Sequence, residues 1–315
     1  MVKIVVTFNP SETQREIIKS IPGDALFLSE DRSLLQSADI LFSWNPVLEM
    51  GREELGEIKA GFMQTLSAGV DHIPVGMMPE TLTIASNVGA FAEPMAEHTM
   101  AMFLALAKRL YVNHQRMKEV FDQRSETLTM KGSICGILGF GENGKAVARL
   151  AKAFGARIYA INSTGRTEEK VEFIGTLKDL NPFLRSVDFL AITIALNNRT
   201  SGIIGKRELE LMKKNAILVN TARGEIIDEG ALYEHLKGNP EFMAGIDAWW
   251  VEPFRHGRFE MHYPFLELPN VIGSPHNSGM VKGVIDHATE LACENIKAFI
   301  EGKEVRGVVR REDYR

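Results

Sequence analysis

The stretch GILGFGENG, Gly136–Gly144, decides the fold of this chain. It places Gly139, Gly141 and Gly144 in the spacing G-x-G-x-x-G, after an apolar segment typical of a buried strand and before the helical pattern GKAVARLAKAFG. A second strand pattern, ARIYAIN, ends at Asn162, 18 residues after Gly144. This order of elements predicts a dinucleotide-binding βαβ unit. The turn also contains Phe140, Glu142 and Asn143.

Each glycine of the turn has a separate physical reason. Gly139 permits a tight turn, Gly141 lets the backbone approach a pyrophosphate, and Gly144 lets the helix pack on the strand. The helix N-terminus then directs free N–H groups at the phosphates. The turn is therefore predicted to bind the cofactor.

Strand and helix patterns alternate along the rest of the chain, which predicts parallel sheets covered by helices on both faces. Strands are expected within 3–8, 25–28, 38–44, 62–69 and 82–87. A helix over 11–21 has Ser11 as a candidate N-cap with Gln14 three residues on. A long apolar helix is expected over 92–115, a second α/β series from Lys131, and a last helix over 286–302 packed on the first domain.

Composition narrows the possible partners and location. The 315 residues suffice for one large domain or two ordinary ones. A net charge of -5 gives no reason to expect nucleic acid or an anionic membrane as partner. Two cysteines, Cys135 and Cys293, make neither a disulfide framework nor a metal cluster, and no metal site is expected. The opening MVKIVVTF resembles a core strand and is too short for a signal segment, so a soluble, cytoplasmic protein is expected.

Chemically active side chains follow the last strand patterns. Arg223 follows AILVNTA, Asp247 and Glu252 follow FMAGI, and His276 follows NVIG. Each alone could be a surface or turn residue. Because ligands of open α/β sheets bind at the carboxyl ends of strands, such residues at neighbouring strand ends beside a dinucleotide site indicate an active site.

These segments together resemble the D-isomer-specific 2-hydroxyacid dehydrogenases. The resemblance runs from about Ala60 to about Gly302 and is carried by SAGVDHIP, AEPMAEHTMAMFLALAKR, GILGFGENGKAVA, NTARGEIIDEGAL, DAWWVEP and SPHNSG. It implies an α/β protein of two Rossmann-like domains: a flavodoxin-like substrate domain of residues 1–97 plus 280–315, and a doubly wound parallel-sheet cofactor domain of residues 98–279. It also implies a homodimer formed through the cofactor domains.

The resemblance assigns roles to matching residues. Arg223 should bind the substrate carboxylate and keto oxygen, His276 should be the general acid, and Glu252 should orient its ring and favour its protonated form. Asp247 should bind the nicotinamide carboxamide, and Thr221, Ala222 and Ser278 should line the nicotinamide pocket. The residues expected on the adenine side are Thr193 and Ala195, and those expected to meet the substrate are Ala68, Gly69, Val70 and Asn45.

Residues 162–166 predict the choice of cofactor. An acidic residue at the end of the second strand selects NAD through the ribose hydroxyls, but this chain has Asn162 there. Asn162 can bond a hydroxyl or a phosphate oxygen, and Ser163, Thr164 and Arg166 can add two hydroxyls and a cation. The sequence therefore predicts that NADP is preferred to NAD.

The expected activity is reduction of a small 2-oxoacid to a D-2-hydroxyacid, with hydroxypyruvate or glyoxylate as the first candidates. A phosphoglycerate dehydrogenase-like enzyme is an alternative, although residues 40–78 offer only Arg52, Lys59 and His72 as cationic groups. A non-catalytic dinucleotide-sensing protein, as corepressors of the family are, is a second alternative. Of Trp249 and Trp250, one is expected in the core and the other at a cleft or a partner subunit.

Overall fold

The computed structural model describes residues 2–121 and 126–314, and the chain forms two compact units, Met1–Phe91 with Val281–Arg315 and Ala92–Met280. The strands are β1 Lys3–Val6, β2 Asp24–Phe27, β3 Ile40–Ser43, β4 Phe62–Thr65, β5 Thr83–Ala85, β6 Ile134–Leu138, β7 Arg157–Ile161, β8 Phe173–Gly175, β9 Phe189–Ile192, β10 Ile217–Asn220, β11 Met243–Ile246 and β12 Val271–Gly273. The helices are α1 Glu12–Lys19, α2 Pro46–Met50, α3 Arg52–Leu55, α4 Ala92–Ala107, α5 Leu110–Arg116, α6 Glu142–Ala153, α7 Leu180–Ser186, α8 Lys206–Leu211, α9 Glu229–Gly238, α10 Pro253–His256 and α11 Val284–Ile300.

The first unit is built on a parallel sheet with strand order β2-β1-β3-β4-β5. This is the flavodoxin-like order that was expected. Every residue of β3 and β4 is buried, because helices and loops cover both faces of the sheet. The carboxyl ends of these two neighbouring strands therefore place the loops that follow Ser43 and Thr65 side by side.

Helix α1 begins as the sequence predicted and packs beside the last helix. Ser11 accepts the Gln14 N–H, and the Gln14 side chain accepts the Ser11 N–H, which forms a capping box. Gln14 Nε2 also donates to Thr289 Oγ1 of α11 at 2.9 Å. Ile18 of α1 and Ala292 of α11 belong to one apolar cluster of this unit.

The second unit contains a parallel sheet with the order β12-β11-β10-β9-β6-β7-β8. From β6 the chain runs outward to β8, returns to β9 and continues to β12 on the other side. The sheet is therefore doubly wound, and the carboxyl ends of β6 and β9 form the switch point where such sheets bind ligands. Apolar residues of α4 and α6 cover one face, and those of α7, α8 and α9 cover the other. The two-domain α/β fold expected from the sequence is confirmed.

Several predicted boundaries are wrong. The helix expected over 92–115 ends at Ala107, because Arg109 adopts a left-handed conformation (φ 49°) and the exposed helix α5 follows it as a separate element. The compact units divide after Phe91 and Met280, which places all of α4 in the second unit, and the functional domain bounds 1–97 plus 280–315 and 98–279 stay a prediction. Within the series predicted from Lys131, the three-residue strand β8, Phe173–Gly175, was not predicted.

Candidate active site

The glycine turn joins β6 to α6. Gly139 has φ +105°, and a Cβ there would lie 2.3 Å from Ile194 N. A Cβ at Gly144 would lie 2.3 Å from Gly139 O, so both positions exclude a side chain. A Cβ at Gly141 would meet nothing within 4 Å. Open space at Gly141 beside the first turn of α6 fits a pyrophosphate.

The remaining side chains of the turn make protein contacts. Phe140 is buried, and its N–H donates to Ile161 O at 2.9 Å. Glu142 accepts from Lys145 Nζ at 2.8 Å, and Asn143 Nδ2 lies 3.3 Å from Met95 Sδ. These side chains already have partners within the protein, which leaves the open backbone at Gly141 as the part of the turn suited to a phosphate.

Asn162 shapes the loop after β7 instead of pointing away from it. Its Oδ1 accepts the N–H groups of Thr164 at 3.0 Å and Gly165 at 2.7 Å, and its Nδ2 donates to Arg166 O at 2.8 Å. The structure thus gives Asn162 a loop-forming role that the sequence did not indicate, and its bond to the cofactor stays a prediction. The side chains of Ser163, Thr164 and Arg166 are exposed on this loop.

Thr193 and Thr221 both support neighbouring backbone or core. Thr193 Oγ1 donates to Gly139 O at 2.7 Å and so braces the glycine turn. Thr221 is fully buried, and its Oγ1 lies 3.3 Å from Thr99 Oγ1 of α4. Ala195 is exposed, and its carbonyl accepts Thr200 Oγ1 at 2.7 Å.

Arg223 lies in the loop after β10, and buried Asn220 fixes that loop. Asn220 Oδ1 accepts the Ala222 N–H at 3.0 Å, and Nδ2 donates to Arg223 O at 2.8 Å. A Cβ at Gly224 would lie 2.5 Å from Trp249 C, so the Arg223 loop packs directly on the loop that leads to Glu252. Sequence reasoning missed Asn220, although a polar residue ending an apolar strand was a usable signal.

His276 and Glu252 form the central pair of the site. His276 Nδ1 lies 2.6 Å from Glu252 Oε2, and Glu252 Oε1 accepts the Trp249 N–H at 2.6 Å. The Glu252 side chain is 7% exposed and that of His276 is 32% exposed. Because an ionised carboxylate can only accept hydrogen bonds, His276 Nδ1 carries a hydrogen. Nε2 is then the nitrogen that can exchange a proton.

Asp247 lies after β11 and is fully buried. Its Oδ1 accepts from Ser274 Oγ at 2.5 Å and from Asn277 N at 3.2 Å, and its Oδ2 accepts from Ser278 N at 3.2 Å. These three bonds fix the loop that carries His276. The sequence indicated a contact with the cofactor for Asp247 but did not indicate this hold on the loop. Ser278, a predicted pocket residue, is buried and joins the loop through its backbone.

In the first unit, Glu49 organises the loop that contains Asn45. The Glu49 carboxylate accepts from Thr7 Oγ1 at 2.5 Å, from Ser43 Oγ at 2.6 Å, and from the N–H groups of Trp44 at 3.1 Å and Asn45 at 2.6 Å. Asn45 Oδ1 in turn caps α2, so its side chain stabilises the helix start. Glu49 was missed because nothing in the sequence indicates that Thr7, 42 residues away, comes to its carboxylate.

The loop after β4 carries the other predicted substrate residues, Ala68, Gly69 and Val70. Ser67 Oγ donates to Gly69 O at 3.0 Å, and Val70 is buried. His72 Nε2 lies 3.2 Å from Trp44 O, which links this loop to the Asn45 loop within the first unit. The structure thus brings the predicted substrate residues of this unit to one edge of its sheet.

Both tryptophans of DAWWVEP lie in the core, so the expectation that one faces a cleft or a partner is wrong. Trp249 Nε1 donates to Ser274 O at 2.8 Å. Trp250 Nε1 donates to Ile227 O at 2.7 Å, and its ring stacks on Phe265 with centroids 5.5 Å apart. Each indole is buried because its N–H finds a backbone acceptor.

Among the described residues, the two thiols are unreactive and no group of metal ligands is found. Burial raises the pKa of the Cys135 and Cys293 thiols to about 12, which keeps both protonated at neutral pH. Within residues 2–121 and 126–314, no three His, Cys, Asp or Glu side chains are grouped as metal ligands. The helices in these same ranges are too short or too polar to span a membrane.

The second unit matches a known family of domains. Residues 100–278 match the model described as D-isomer specific 2-hydroxyacid dehydrogenase, NAD binding domain. The matched segment contains the glycine turn, Arg223, Asp247, Glu252 and His276.

Relatives cover most of the chain. It is 32% identical to the D-3-phosphoglycerate dehydrogenase of Methanocaldococcus jannaschii, over 98% of this chain and 59% of that protein, so it spans less than two thirds of that relative. It is 33% identical to the glyoxylate reductase of Aeropyrum pernix, over 78% of this chain and 75% of that protein. It is also similar to the solved structure of a glycerate dehydrogenase related protein from Thermoplasma acidophilum, with a TM-score of 0.62, 31% identity, and coverage of 95% and 100%.

Proposed function

Because the chain belongs to the D-isomer specific 2-hydroxyacid dehydrogenase family, we propose that it converts a small 2-oxoacid reversibly to a D-2-hydroxyacid with a nicotinamide dinucleotide. The observation that carries this proposal is the His276–Glu252 pair, whose nearest atoms are 2.6 Å apart. Arg223, Glu252 and His276 follow the neighbouring strands β10, β11 and β12. In this proposal, the second unit is the cofactor domain and the first is the substrate domain.

His276, Arg223 and Glu252 have separate roles in the proposed reduction. When bound, the reduced nicotinamide supplies the hydride. His276 donates the proton on Nε2 to the carbonyl oxygen as its carbon becomes tetrahedral, and accepts a proton there in the reverse direction. Arg223 binds the carboxylate and the keto oxygen with its planar fork of donors. Glu252 holds the His276 ring through Nδ1, and the open backbone at Gly141 holds the phosphates.

We propose glyoxylate or hydroxypyruvate as the substrate, and the relative named as a glyoxylate reductase supports the first of these. Because another relative is named as a D-3-phosphoglycerate dehydrogenase, a phosphorylated substrate is the alternative. Arg52 and Lys59 are exposed, and His72 bonds a backbone carbonyl, so these three side chains give only weak support for a phosphate site. Ala68, Gly69, Val70 and Asn45 remain the proposed substrate-binding residues of the first unit.

The test is a panel of oxoacids assayed by loss of the absorbance of the reduced nicotinamide. Glyoxylate, hydroxypyruvate and 3-phosphohydroxypyruvate are compared by kcat/KM with NADPH and with NADH. The largest kcat/KM for the phosphorylated acid would select the phosphoglycerate dehydrogenase-like alternative. Cofactor binding without turnover of any oxoacid would select the dinucleotide-sensing, corepressor-like alternative.

We propose that NADP is preferred to NAD. The loop after β7 offers the exposed side chains of Ser163, Thr164 and Arg166, and carries no carboxylate at position 162. A carboxylate about 4 Å from a 2′-phosphate would cost roughly 4 kcal/mol near a protein surface. The bonds that Asn162 makes within the loop support this proposal, because they hold the loop while its neighbours face solvent.

Replacing Arg166 with alanine should lower kcat/KM for NADPH by about 10- to 150-fold, the factor that one charge-assisted hydrogen bond provides. The value for NADH should stay nearly unchanged. Both are measured with one oxoacid at fixed salt. Lys170→Ala removes another exposed cation just beyond the loop and serves as the control. Equal losses with both cofactors, or a wild-type preference for NADH, would contradict the proposal.

We also propose a homodimer formed through the second unit. Apolar side chains are exposed on and after α5, which is unfavourable in water unless another surface covers them. These residues are Leu110, Tyr111, Met117, Val120 and Phe121.

The double variant Tyr111→Glu/Met117→Glu should convert the dimer to a monomer, because it places two charges in the apolar interface. Analytical ultracentrifugation should give twice 35.1 kDa for the wild type and 35.1 kDa for the variant. Lys118→Glu, an exposed change on the same segment, controls for added charge. A wild-type chain that sediments as a monomer would contradict the proposal.

A further inference from the structure

His98 of α4 contacts the loop that carries the proposed general acid. Its Nε2 lies 2.9 Å from Ser274 Oγ and 3.7 Å from Asp247 Oδ1. The side chain is 27% exposed, whereas Asp247 is fully buried. His98 takes no part in the chemistry described above, yet it lies within the second unit at the ends of β11 and β12.

The hydrogens that Ser274 and His98 can donate fix the direction of the hydrogen bonds between them and Asp247. Ser274 Oγ lies 2.5 Å from Asp247 Oδ1, and an ionised carboxylate can only accept, so the single hydroxyl hydrogen of Ser274 goes to Asp247. Ser274 Oγ must then accept from His98, which places a hydrogen on Nε2 of that ring. A chain of donors therefore runs from His98 through Ser274 to Asp247.

Asp247 connects this chain of hydrogen bonds to the backbone of the loop that carries His276. It accepts the N–H groups of Asn277 and Ser278, the two residues that follow His276. His276 itself has φ 51°, a left-handed conformation that is unfavourable for a residue with a Cβ. Such a conformation persists when surrounding contacts over-determine it, and the Asp247 carboxylate supplies two of these contacts.

We propose that His98 is a positioning residue for His276, acting through Ser274 and Asp247 to hold the strained turn that aims the His276 ring. The inference rests on the proposed function, in which His276 is the acid. A donor at position 98 fixes the Ser274 hydroxyl on Asp247, and the oriented carboxylate holds Asn277 and Ser278. Loss of the donor loosens the turn, which lowers the fraction of His276 rings aimed at the substrate.

The test compares His98→Leu, which removes the donor, with His98→Gln, which keeps an amide donor near the position of Nε2. His98→Leu should lower kcat by about 2- to 13-fold, the factor corresponding to one neutral hydrogen bond. Affinity for NADPH, measured by calorimetry, should stay within about two-fold. His98→Gln should restore most of kcat. Glu97→Leu, an exposed change on the same helix, should leave activity unchanged.

A purely structural role for His98 predicts different results. Equal losses in His98→Leu and His98→Gln would show that ring packing matters and would overturn the proposal, as would a His98→Leu variant with wild-type kcat. Ser274→Ala breaks the same chain at its second link and gives a test if His98→Leu does not fold. Because this change also removes the Ser274–Asp247 bond, its effect should be at least that of His98→Leu, and the two changes together should cost no more than Ser274→Ala alone.

A different experiment, on His276, tests the proposed function itself. If His276→Ala retains wild-type turnover, His276 is not the acid. If His276→Ala is inactive while His98→Leu is fully active, the proposed function stands and this inference alone is wrong.

Discussion

Replacing His276 with alanine should lower kcat for 2-oxoacid reduction by about 100- to 10,000-fold, the range that general acid catalysis provides. The reason is that Nε2 of this ring is the proton donor, with Nδ1 held by buried Glu252 at 2.6 Å. Cofactor affinity should change little, because the glycine turn lies elsewhere in the unit. Steady-state assays give kcat, and calorimetry with NADPH gives the affinity.

The chain offers a matched control for this change. His262 also has Nδ1 beside a carboxylate, at 2.7 Å from Glu229 Oε2, but its side chain is more exposed. His262→Ala should therefore leave kcat near the wild-type value. If His276→Ala keeps more than about a third of wild-type turnover, the ring is not the general acid.

Replacing Arg223 with lysine should raise KM for the oxoacid and lower kcat together, reducing kcat/KM by about 10- to 150-fold through loss of one charge-assisted hydrogen bond. Charge is kept in this variant, so the loss reports on the planar fork that binds a carboxylate and a keto oxygen at once. The measurement is steady-state kinetics with varied oxoacid at saturating cofactor.

The position of Arg223 supports this sensitivity. Its loop is fixed by Asn220 and packs on the loop leading to Glu252, so the backbone has little freedom to move a shorter donor into place. Arg185→Lys, on the exposed side of α7, is the control for replacing an arginine with a lysine away from the site. Unchanged kinetic constants in Arg223→Lys would remove this residue from the substrate site.

The sequence predicted the parallel-sheet fold of the second unit because that fold depends on local patterns. The glycine spacing and the following strand specify a βαβ unit, and parallel strands end at one edge of a sheet. Side chains that follow consecutive strands therefore come together, as Glu252 and His276 do. The family resemblance added the roles, which the spacing alone could not provide.

What the sequence did not predict depends on contacts between distant residues or on backbone conformation. The Glu49 carboxylate accepts from Thr7, which follows β1, and from Ser43 at the end of β3, and Asp247 accepts from Ser274 in the loop after β12. The left-handed backbone at Arg109 and His276 is not marked by a glycine, the residue for which such conformations are typical. Strand β8 is a three-residue strand at the edge of the sheet and is only partly buried, so it lacks the apolar run of a buried strand.

The self-contained loop that Asn162 forms has a consequence for how selectivity can change. Its shape is set by the bonds of one amide side chain to Thr164, Gly165 and Arg166, so it is preorganised before any ligand arrives. Outward-facing Ser163 and Arg166 can then be exchanged without rebuilding the backbone. Such a loop is a modular scaffold: substitutions at its tip can retune which dinucleotide is accepted, while Asn162 preserves the frame that presents them.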